Sequence, residues 1–466
     1  MTTATPTADP AAGPLSPPSG STGQPAARVR LSAVERRAAW ARHRREMTRL
    51  ITAKADWVPV LIFASILMTP EARIDLGGFQ LYPYRLALLA ALPMMLVRLA
   101  KRPVRLGPAD LLITASSMMM LIAMALRYPL DVALKTGGGV TMDALLAYFA
   151  GRIFFRSSLD VRRFLYRISP LLLGVAIVMA LESVSHRYLL RPFVGAVTGF
   201  YPDAALARMY EIRLGLLRAT GPFLHPIAAG LFFGSLVPLF YSADLPKWRW
   251  LGLLGCLGGV FGWSSAGIVA ISAGLGLGLY DSFQRRYRVG WGSLLLALLF
   301  GAVLIEALSG GGFVKFVIRY AALNPQTGYF RLLIWEYGWA NVAKSPWIGI
   351  GYFESYERPV WMRSDSVDNY WLLQALRYGL PSMAMLLVGV FLIIFKLGVS
   401  RQGQELGSLN GRRMATGLCI SLATTVVSLL TSSPWGADMA WLTVVFGMAA
   451  GLADKSEPPR SRAAIR

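Results

Sequence analysis

A polar pair, Asp368-Asn369, stands at the start of a hydrophobic segment, and Gly379 follows it after nine residues. A carboxylate and an amide in such a place must have a reason to lie there, because removing them from water costs free energy. Two arginines precede the pair, Arg331 in YFRLLIWEYG and Arg218 in LRATGPFLHP. A guanidinium group matches phosphate oxygens, and a carboxylate can accept a proton from a hydroxyl group. These residue types predict a site for a phosphorylated substrate that is rich in hydroxyl groups.

Structural roles are also open to the same residues. Arg218 could be a structural arginine at a membrane interface, with its charged end extended to water. Arg331 could instead pack on Trp335, one helical turn further along. Asp368 could cap the helix that follows it, in addition to acting as a general base. Asn369 is expected to orient a hydroxyl group or the base itself. Asp365 is an alternative carboxylate in the same segment.

Several polar and aromatic residues nearby are expected to bind substrate beside Asn369. His225 comes just before an apolar segment, where a buried structural histidine is the alternative. Arg319 lies on an amphipathic stretch that also suits a membrane interface. Trp335 and Tyr352 have flat rings that could stack on sugars, although such residues also populate membrane interfaces.

The segments that must position these residues are mostly hydrophobic. Of 466 residues, 55% are hydrophobic and 15% are charged, and the charged residues cluster between long apolar runs. This composition predicts an all-α polytopic membrane protein. Twelve transmembrane helices are predicted at 55–70, 82–99, 109–127, 138–154, 167–184, 222–241, 248–262, 265–280, 291–308, 371–396, 414–431 and 436–453.

The distribution of charge decides whether residues 248–280 form one span or two. A single span over 248–280 would put the basic run 285–288 outside, whereas two short spans joined at 262–265 put it inside. The inner segments then hold most of the 47 Lys and Arg residues, as the positive-inside rule requires. The net charge of +22 is explained by basic loops at a membrane surface, and it does not require a nucleic-acid partner.

The two ends of the chain have a different composition from the spans. Residues 1–28 are rich in Pro, Ala, Thr, Ser and Gly and are predicted to be disordered, because they cannot bury a core. Residues 29–54 are basic and rich in alanine, which predicts a helix on the cytoplasmic membrane surface. Residues 454–466 are predicted to form a second cytoplasmic tail.

Two outer loops are long, 185–221 and 309–370, and long ordered loops are usually functional. The second lies between the ninth and tenth spans and is predicted to be helical, with an amphipathic stretch at 313–323 and a helix at 331–343. Both loops belong to the predicted transmembrane catalytic domain, 55–453.

Motifs that other mechanisms need are missing from the sequence. No glycine-rich phosphate loop is followed by Lys-Ser or Lys-Thr, which argues against an ATP-driven pump. No cluster of His, Cys or carboxylates has metal-ligand spacing, and the two cysteines, Cys256 and Cys419, lie in apolar spans. Few charges lie midway along the spans, which argues against an ion-coupled transporter. We expect neither a cofactor nor a metal ion.

Four stretches of the chain resemble the O-antigen ligase and polymerase family of bacterial envelope enzymes, over residues 55–453. They are RATGPFLHP (218–226), GWSSAG (262–267), FRLLIWEYGWANVAKSPWIGIG (330–351) and DNYWLLQALRYGLP (368–381). The resemblance implies a metal-independent, C-type glycosyltransferase of the bacterial inner membrane with a periplasmic active site. Such an enzyme takes an oligosaccharide from undecaprenyl pyrophosphate and passes it to a sugar hydroxyl. Its implied partners are the lipid-linked donor, the growing glycan acceptor, membrane lipid and a regulator of chain length.

The same resemblance implies roles for individual residues. Arg218 and Arg331 match the family's arginines and would stabilise the pyrophosphate, while Asp368 would activate the acceptor hydroxyl. The family usually has histidine where this chain has Asp368, and it often has arginine where this chain has Ala266, after Ser265. Both departures favour a polymerase of exopolysaccharide, capsule or O-antigen over a ligase to lipid A core.

Two alternatives stay open at this point. A ligase would transfer finished glycan to lipid A core or to protein, and its loss would leave long polymer on the carrier lipid. A flippase or exporter of lipid-linked oligosaccharide would need polar cavity residues in its spans, of which the sequence shows few.

Overall fold

The computed structural model describes residues 45, 48–52, 56–77, 79–309, 325–362, 365–400 and 409–454, and these residues are mainly helical. Three predicted features lie wholly or mostly outside the described residues: the tail 1–28, the surface helix 29–54, and the amphipathic stretch 313–323 with Arg319. Residues 455–466 lie outside them as well. The division of the chain into tails and a catalytic domain therefore stays a prediction.

Helices and two small hairpins alternate in the first half of the described chain. The helices are α1 Val58–Ile66, α2 Pro83–Lys101, α3 Pro108–Arg127, α4 Leu130–Val132, α5 Gly138–Phe154, α6 Ser158–Ser185, α7 Leu190–Thr198 and α8 Asp203–Met209, with a 3-10 turn at Pro70–Ala72 and a π turn at Ala133–Gly137. Antiparallel strands β1 Ile74–Leu76 and β2 Phe79–Leu81 pair in one hairpin, with Ile74 opposite Leu81. Strands β3 Ile212–Arg213 and β4 Leu216–Leu217 pair in the other, with Ile212 opposite Leu217.

The second half of the described chain is helical. Its helices are α9 Pro226–Ser242, α10 Pro246–Cys256 with a 3-10 continuation at Leu257–Gly262, α11 Ser265–Tyr287, α12 Trp291–Leu308, α13 Pro325–Lys344, α14 Tyr370–Tyr378, α15 Leu380–Ser400, α16 Leu409–Ser428 and α17 Gly436–Ala453. Several helices begin at a proline, whose fixed φ suits the first turn and whose missing N–H would have no partner there.

Seven helices of the described residues are long and apolar enough to cross a membrane, namely α2, α3, α6, α11, α12, α15 as far as Gly398, and α17. Helix α9 and the segment Trp250–Gly262 are apolar but shorter. The chain is therefore a helical, multi-pass membrane protein, which confirms the predicted fold class. The number twelve stays a prediction, because helices at the other predicted spans, such as α1 with 9 residues, are shorter or less apolar.

The chain turns between α10 and α11 where the sequence predicts it to turn. Gly262 ends the 3-10 continuation, Trp263 has a φ of 43° in the left-handed region, and α11 begins at Ser265. A Cβ at Gly262 would lie 2.6 Å from the carbonyl oxygen of Pro226. Glycine is therefore required there for the close approach of two backbones.

The predicted tenth span, 371–396, consists of two helices rather than one. Helix α14 ends at Tyr378, and Gly379 has a φ of 88° and a ψ of 163° before α15 begins. This backbone conformation is essentially restricted to glycine, and a Cβ at Gly379 would meet the carbonyl oxygen of Trp347. The interruption gives the backbone of the preceding loop a place to pack.

Two pairs of helices cross with their backbones in contact at glycines. On α5 and α17, a Cβ at Gly447 would meet the carbonyl oxygen of Tyr148. On α9 and α11, Gly230 and Gly267 face each other. Small residues of this kind let helices approach closely where the hydrophobic effect alone gives little driving force.

A tryptophan on α17 forms the centre of the largest apolar cluster. Trp441 is 0% exposed, and its ring packs on Phe63 of α1, Phe164 of α6 and Phe232 of α9 at centroid distances of 5.0, 6.2 and 5.5 Å. Its indole N–H donates to the Ser235 hydroxyl at 2.9 Å. The buried indole is therefore satisfied, and the four helices share one core.

Candidate functional site

Arg218 lies at the end of the β3–β4 hairpin, and the hairpin itself orients it. Leu214 and Gly215 at the tip have positive φ values of 51° and 78°, the conformation of a tight hairpin turn. This turn places Glu211 opposite Arg218, whose Nη1 donates to the Glu211 carboxylate at 2.6 Å. Arg218 Nε donates to the carbonyl of Gly262 at 3.3 Å. The side chain is 8% exposed, and its Nη2 has no hydrogen bond among the described residues.

The charges around Arg218 largely balance each other. Burial lowers the pKa of Arg218, the neighbouring charge of Arg213 lowers it further, and the hydrogen bond with Glu211 counteracts both. Burial alone would raise the pKa of Glu211, but hydrogen bonds from the two arginines outweigh it, and the pKa falls below its ordinary value. Both members of the pair are therefore charged at neutral pH.

The hairpin is tied to the turn that precedes α11. The amide of Ala219 donates to the carbonyl of Phe261 at 3.0 Å, and Arg213 Nη1 donates to the carbonyl of Trp263 at 3.0 Å. The Trp263 indole N–H in turn donates to the Ser183 hydroxyl of α6 at 3.0 Å. Two of the stretches that carry the family resemblance, 218–226 and 262–267, therefore lie side by side.

A buried carboxylate near the end of α6 holds both ends of the outer loop. Glu182 is 0% exposed, and one of its oxygens accepts from the amides of Leu189 and Leu190 at 3.0 and 3.2 Å. Its other oxygen accepts from the amides of Thr220 and Gly221 at 3.2 and 2.9 Å. Glu182 was not predicted from the sequence. The signal that could have indicated it is a carboxylate close to the end of an apolar helix, since the charge of such a group needs hydrogen-bond donors or a cation beside it.

His225 is the N-cap of α9. Its Nδ1 accepts from the amide of Ile227 at 3.1 Å, so the proton of the neutral ring lies on Nε2. The pKa of His225 is lowered to about 4, mainly by burial and further by the charge of Arg218, while the charge of Asp368 acts in the opposite direction. The imidazole is therefore neutral at neutral pH and offers an N–H donor between the two loops.

The other two stretches of the resemblance, 330–351 and 368–381, form a second joined pair. The amide of Ile350 donates to the carbonyl of Leu376 at 2.7 Å, and the amide of Leu380 donates to the carbonyl of Pro346 at 2.7 Å. Helices α13 and α14 pack directly against each other. These contacts fix the start of α14 relative to α13, and with it the relative positions of Asp368 and Arg331.

Arg331 and Asp368 interact across this second pair. The Nε of Arg331 is buried and has no hydrogen-bond partner among the described residues. Burial lowers the pKa of Arg331, and the charge of Asp368 counteracts the effect. Asp368 is half-buried and accepts a hydrogen bond from the Ser366 hydroxyl at 2.9 Å. The charge of Asp368 also acts on His225, so Asp368 is coupled electrostatically to both pairs of stretches.

The neighbouring amide, rather than Asp368, caps α14. Asn369 is 1% exposed, and its Oδ1 accepts from the amide of Leu372 at 2.9 Å. Its Nδ2 donates to the carbonyl of Leu430 at 2.9 Å. The cap predicted as one role of Asp368 is wrong, because the backbone places Asn369 at the capping position. Asn369 holds the helix start, which leaves the Asp368 carboxylate available.

The predicted aromatic residues lie in different surroundings. Trp335 packs on Trp339, with ring centroids 6.1 Å apart, and no ring contact joins it to Arg331 among the described residues. Tyr352 lines a cavity of about 590 Å³ formed by residues of α1, α2, α3, α5, α14, α15 and α17 and of nearby loops. Arg218, Arg331 and Asp368 do not line this cavity. The position of Arg319 lies outside the described residues, so its role stays a prediction.

Together these residues form what we call the charged cluster: Arg218, His225, Arg331 and Asp368. It combines two guanidinium groups and a neutral imidazole N–H with one carboxylate. Donors of this kind stabilise negative charge on an oxyanion, and a carboxylate beside them can accept a proton. Within the described ranges, no group of three or more His, Cys, Asp or Glu residues is arranged to hold a metal ion.

One family model matches the chain. It is described as O-antigen ligase and matches residues 250–387, a segment that contains Arg331, Asp368 and Asn369 but begins after Arg218. The match supports the predicted resemblance to the O-antigen ligase and polymerase family. No curated protein matches the chain.

The match and the fold together define the class of protein. The chain is a multi-pass membrane protein in which residues 250–387 are similar to O-antigen ligases, and this similarity supports a role in the assembly of surface glycans. Members of the family are glycosyltransferase-like enzymes, and the family implies lipid-linked glycan substrates.

Proposed function

We propose that this protein joins undecaprenyl-pyrophosphate-linked oligosaccharide repeat units into a surface polysaccharide at the periplasmic face of the inner membrane. The feature that supports this proposal most is the electrostatic coupling of residues from distant parts of the sequence, each of which shifts the pKa of another. His225 interacts with the charges of both Arg218 and Asp368, and Asp368 interacts with Arg331. A carboxylate among cationic donors is what transfer from a pyrophosphate ester to a hydroxyl group requires.

The reaction assigns a role to each member of the charged cluster. Asp368 accepts the proton of the acceptor hydroxyl as its oxygen attacks the anomeric carbon of the donor sugar. The bond from that carbon to the pyrophosphate oxygen breaks, and undecaprenyl pyrophosphate leaves with the electron pair. Arg218 and Arg331 stabilise the charge that develops on the leaving group, since such donors act most strongly where charge appears in the transition state. The donor is already activated, so the step needs neither ATP nor a metal ion.

His225 and the partly satisfied arginines are arranged to serve this step. The Nε2–H of His225 can donate to a phosphate or leaving oxygen, because its Nδ1 is already occupied by Ile227. Arg218 keeps its Nη2 for a ligand while Glu211 and Gly262 hold the rest of the group. Trp335 and Tyr352 contribute ring faces for sugars, and Arg319 contributes a further cation.

The sidedness of the protein is part of the proposal. We propose that both termini are cytoplasmic and that the loops 185–221 and 309–370 face the periplasm. A single cysteine at exposed Arg208 of α8, in a variant with Cys256→Ala and Cys419→Ala, is expected to react with a membrane-impermeant maleimide added to intact spheroplasts. A matched cysteine at exposed Arg102, between α2 and α3, should react only after permeabilisation. The reverse pattern would overturn the sidedness.

Variants of the charged cluster test the mechanism. We expect Arg331→Ala or Asp368→Ala, expressed in a deletion strain, to lower chain lengthening at least about 100-fold, the usual loss when one preorganised charge-stabilising group is removed. Membrane levels should stay normal, because the Nε of Arg331 has no hydrogen bond to lose among the residues that the structure describes. Arg208→Ala, which removes an exposed arginine from the same outer surface, is the control and should keep full activity. Normal chain length in Asp368→Ala and Asp368→Asn would rule out Asp368 as the base.

A ligase is the second candidate, because the matching family model is described as O-antigen ligase. The same charged cluster would then pass finished glycan to lipid A core or to a protein. Cells that lack a ligase accumulate long polymer on the carrier lipid, whereas cells that lack a polymerase accumulate single repeat units. Substrate trapped at the cytoplasmic face would instead indicate a flippase.

A further inference from the structure

The cavity beside the charged cluster has a lining that suits a carbohydrate. Its volume of about 590 Å³ falls within the range of about 300–1,000 Å³ that is usual for small-molecule sites. Both aromatic and amide side chains line it, among them Tyr82, Tyr84, Trp435, Gln80 and Gln374. Rings bind the apolar faces of sugars, and amides can both donate to and accept from hydroxyl groups.

The charged residues of the lining leave an excess of positive charge. Arg85 is matched by Asp143, whose carboxylate it contacts at 2.8 Å. Asp438 is the other carboxylate of the lining and is 5% exposed. Arg377 and Lys135 also line the cavity, and no carboxylate of the described residues forms an ion pair with either. An anionic ligand would therefore meet two cations that the protein itself does not neutralise.

Arg377 is held in place by aromatic rings rather than by a carboxylate. Its guanidinium carbon lies 4.3 Å from the ring centroid of Tyr352 and 4.6 Å from that of Trp435. Packing on ring faces leaves the N–H groups, which lie in the guanidinium plane, available to a ligand. Arg377 extends from α14, while Tyr352 and Trp435 come from the loops after α13 and before α17, so three segments of the chain build the arrangement.

We propose that this cavity binds an anionic sugar residue of the glycan substrate, with the sugar carboxylate on Arg377 and Lys135. The inference rests on the proposed function for the identity of the ligand as a glycan. A carboxylate matches a guanidinium fork with two parallel hydrogen bonds. The neighbouring rings and amides would hold the sugar that carries it.

The position of the cavity favours a sugar of the glycan over the pyrophosphate of the carrier. Arg218 and Arg331, to which the pyrophosphate is assigned, do not line it. Leu224 and Tyr370 do line it, and they are the sequence neighbours of His225 and Asn369. A glycan whose reacting end lies at the charged cluster would therefore place a further sugar in the cavity.

Binding of small glycosides to the purified full chain in nanodiscs tests the inference without any transfer reaction. The probes are methyl glucuronoside and methyl glucoside, which differ in the carboxylate, with saturation-transfer NMR as the readout. We expect the glucuronoside to bind and the glucoside to bind at least about tenfold more weakly, since hydrogen bonds to charged groups are the stronger kind. Arg377→Gln should weaken glucuronoside binding by a similar factor, whereas Arg331→Ala and Arg208→Ala should leave it unchanged.

A further variant and a set of contradicting results keep the inference open to refutation. If Arg377→Gln is not monodisperse, Lys135→Gln changes an exposed side chain of the same lining and should weaken glucuronoside binding. Equal binding of both glycosides, no glucuronoside binding, or binding that depends on Arg331 but not on Arg377 and Lys135 would overturn the inference. A failure of the proposed function would be seen separately. In that case Arg331→Ala would leave chain lengthening intact, whether or not the glycosides bind.

Discussion

Arg331 is the residue of the charged cluster that the protein satisfies least. Its Nε is buried and has no hydrogen-bond partner among the described residues. Leaving one buried donor without a partner costs about 1–3 kcal/mol of stability. Arg218 differs, since Glu211 and Gly262 take part of its hydrogen-bonding capacity. A donor that has no partner among the described residues, on a group that the charge of Asp368 stabilises, is consistent with one that is completed by substrate.

His225 gives a prediction about pH. The pKa of His225 is about 4 in the folded protein and near 6.5 when the chain is unfolded, because burial disfavours the charged ring. The unfolded chain therefore takes up a proton first as the pH falls, and stability is lost progressively from about pH 6.5 down to about pH 4. At pH 7 the effect is absent.

We expect this loss to be smaller in His225→Asn, which keeps a side-chain acceptor for the start of α9 but does not titrate. The measurement is the thermal unfolding midpoint of both proteins in nanodiscs at pH 7 and pH 5. The other two histidines, His43 and His186, are common to both proteins and cancel in the comparison. An identical fall in the midpoint of the two proteins would contradict the lowered pKa.

Residue types and positions along the chain indicated Arg218, Arg331 and Asp368 as candidates, but they did not indicate every partner of these residues. Glu211 was missed because an acidic residue in a polar loop is usually solvated, and only the hairpin turn brings it to Arg218. The helix cap was assigned to Asp368 because sequence cannot separate two adjacent capping residues. The backbone conformation decides between them, and it selects Asn369.

At the scale of elements, the outer loop between α6 and α9 depends on one carboxylate. Glu182 accepts four amide hydrogen bonds, two at the start of the loop and two beside Arg218. Gln at this position would turn one acceptor into a donor and leave at least one pair of amides unsatisfied. Each unsatisfied buried amide costs about 1–3 kcal/mol, so the loop should open more often than in the natural protein.

We therefore predict that Glu182→Gln speeds tryptic cleavage within residues 185–221 and lowers the unfolding midpoint. Glu354→Gln, which changes an exposed carboxylate in the other outer loop, is the matched control and should cleave at the natural rate. The measurement is limited proteolysis in nanodiscs with mass spectrometry of the fragments. Unchanged cleavage in Glu182→Gln would show that the loop does not depend on this carboxylate.

Sequence predicted the turn between α10 and α11 well because charge sidedness and the Gly262-Trp263-Ser264-Ser265 run both indicated it. It did not predict the interruption between α14 and α15, since both helices are apolar and Gly379 reads as one tolerated glycine in a helix. The interruption is set by a distant segment, as the backbone of Trp347 occupies the space that a side chain at Gly379 would need.

For the whole molecule, the order of the four family stretches along the chain could be read from sequence, but their contacts could not. The fold joins 218–226 to 262–267 and 330–351 to 368–381, and the charge of Asp368 acts on both Arg331 and His225. The close helix crossings at glycines are likewise not revealed by hydrophobic periodicity. The cavity that Tyr352 lines is built by residues of seven helices and their loops, so it could not be predicted from sequence either.

The most direct test of the proposed polymerase is the size of the undecaprenyl-linked glycan in cells with and without this gene. The lipid-linked material is extracted and resolved by gel electrophoresis, with the deletion strain carrying the natural gene as the control. Single repeat units on the carrier lipid in the deletion strain, and long chains in the control, are the result that a polymerase predicts. Long chains that remain on the lipid in the deletion strain would contradict a polymerase and identify the protein as a ligase.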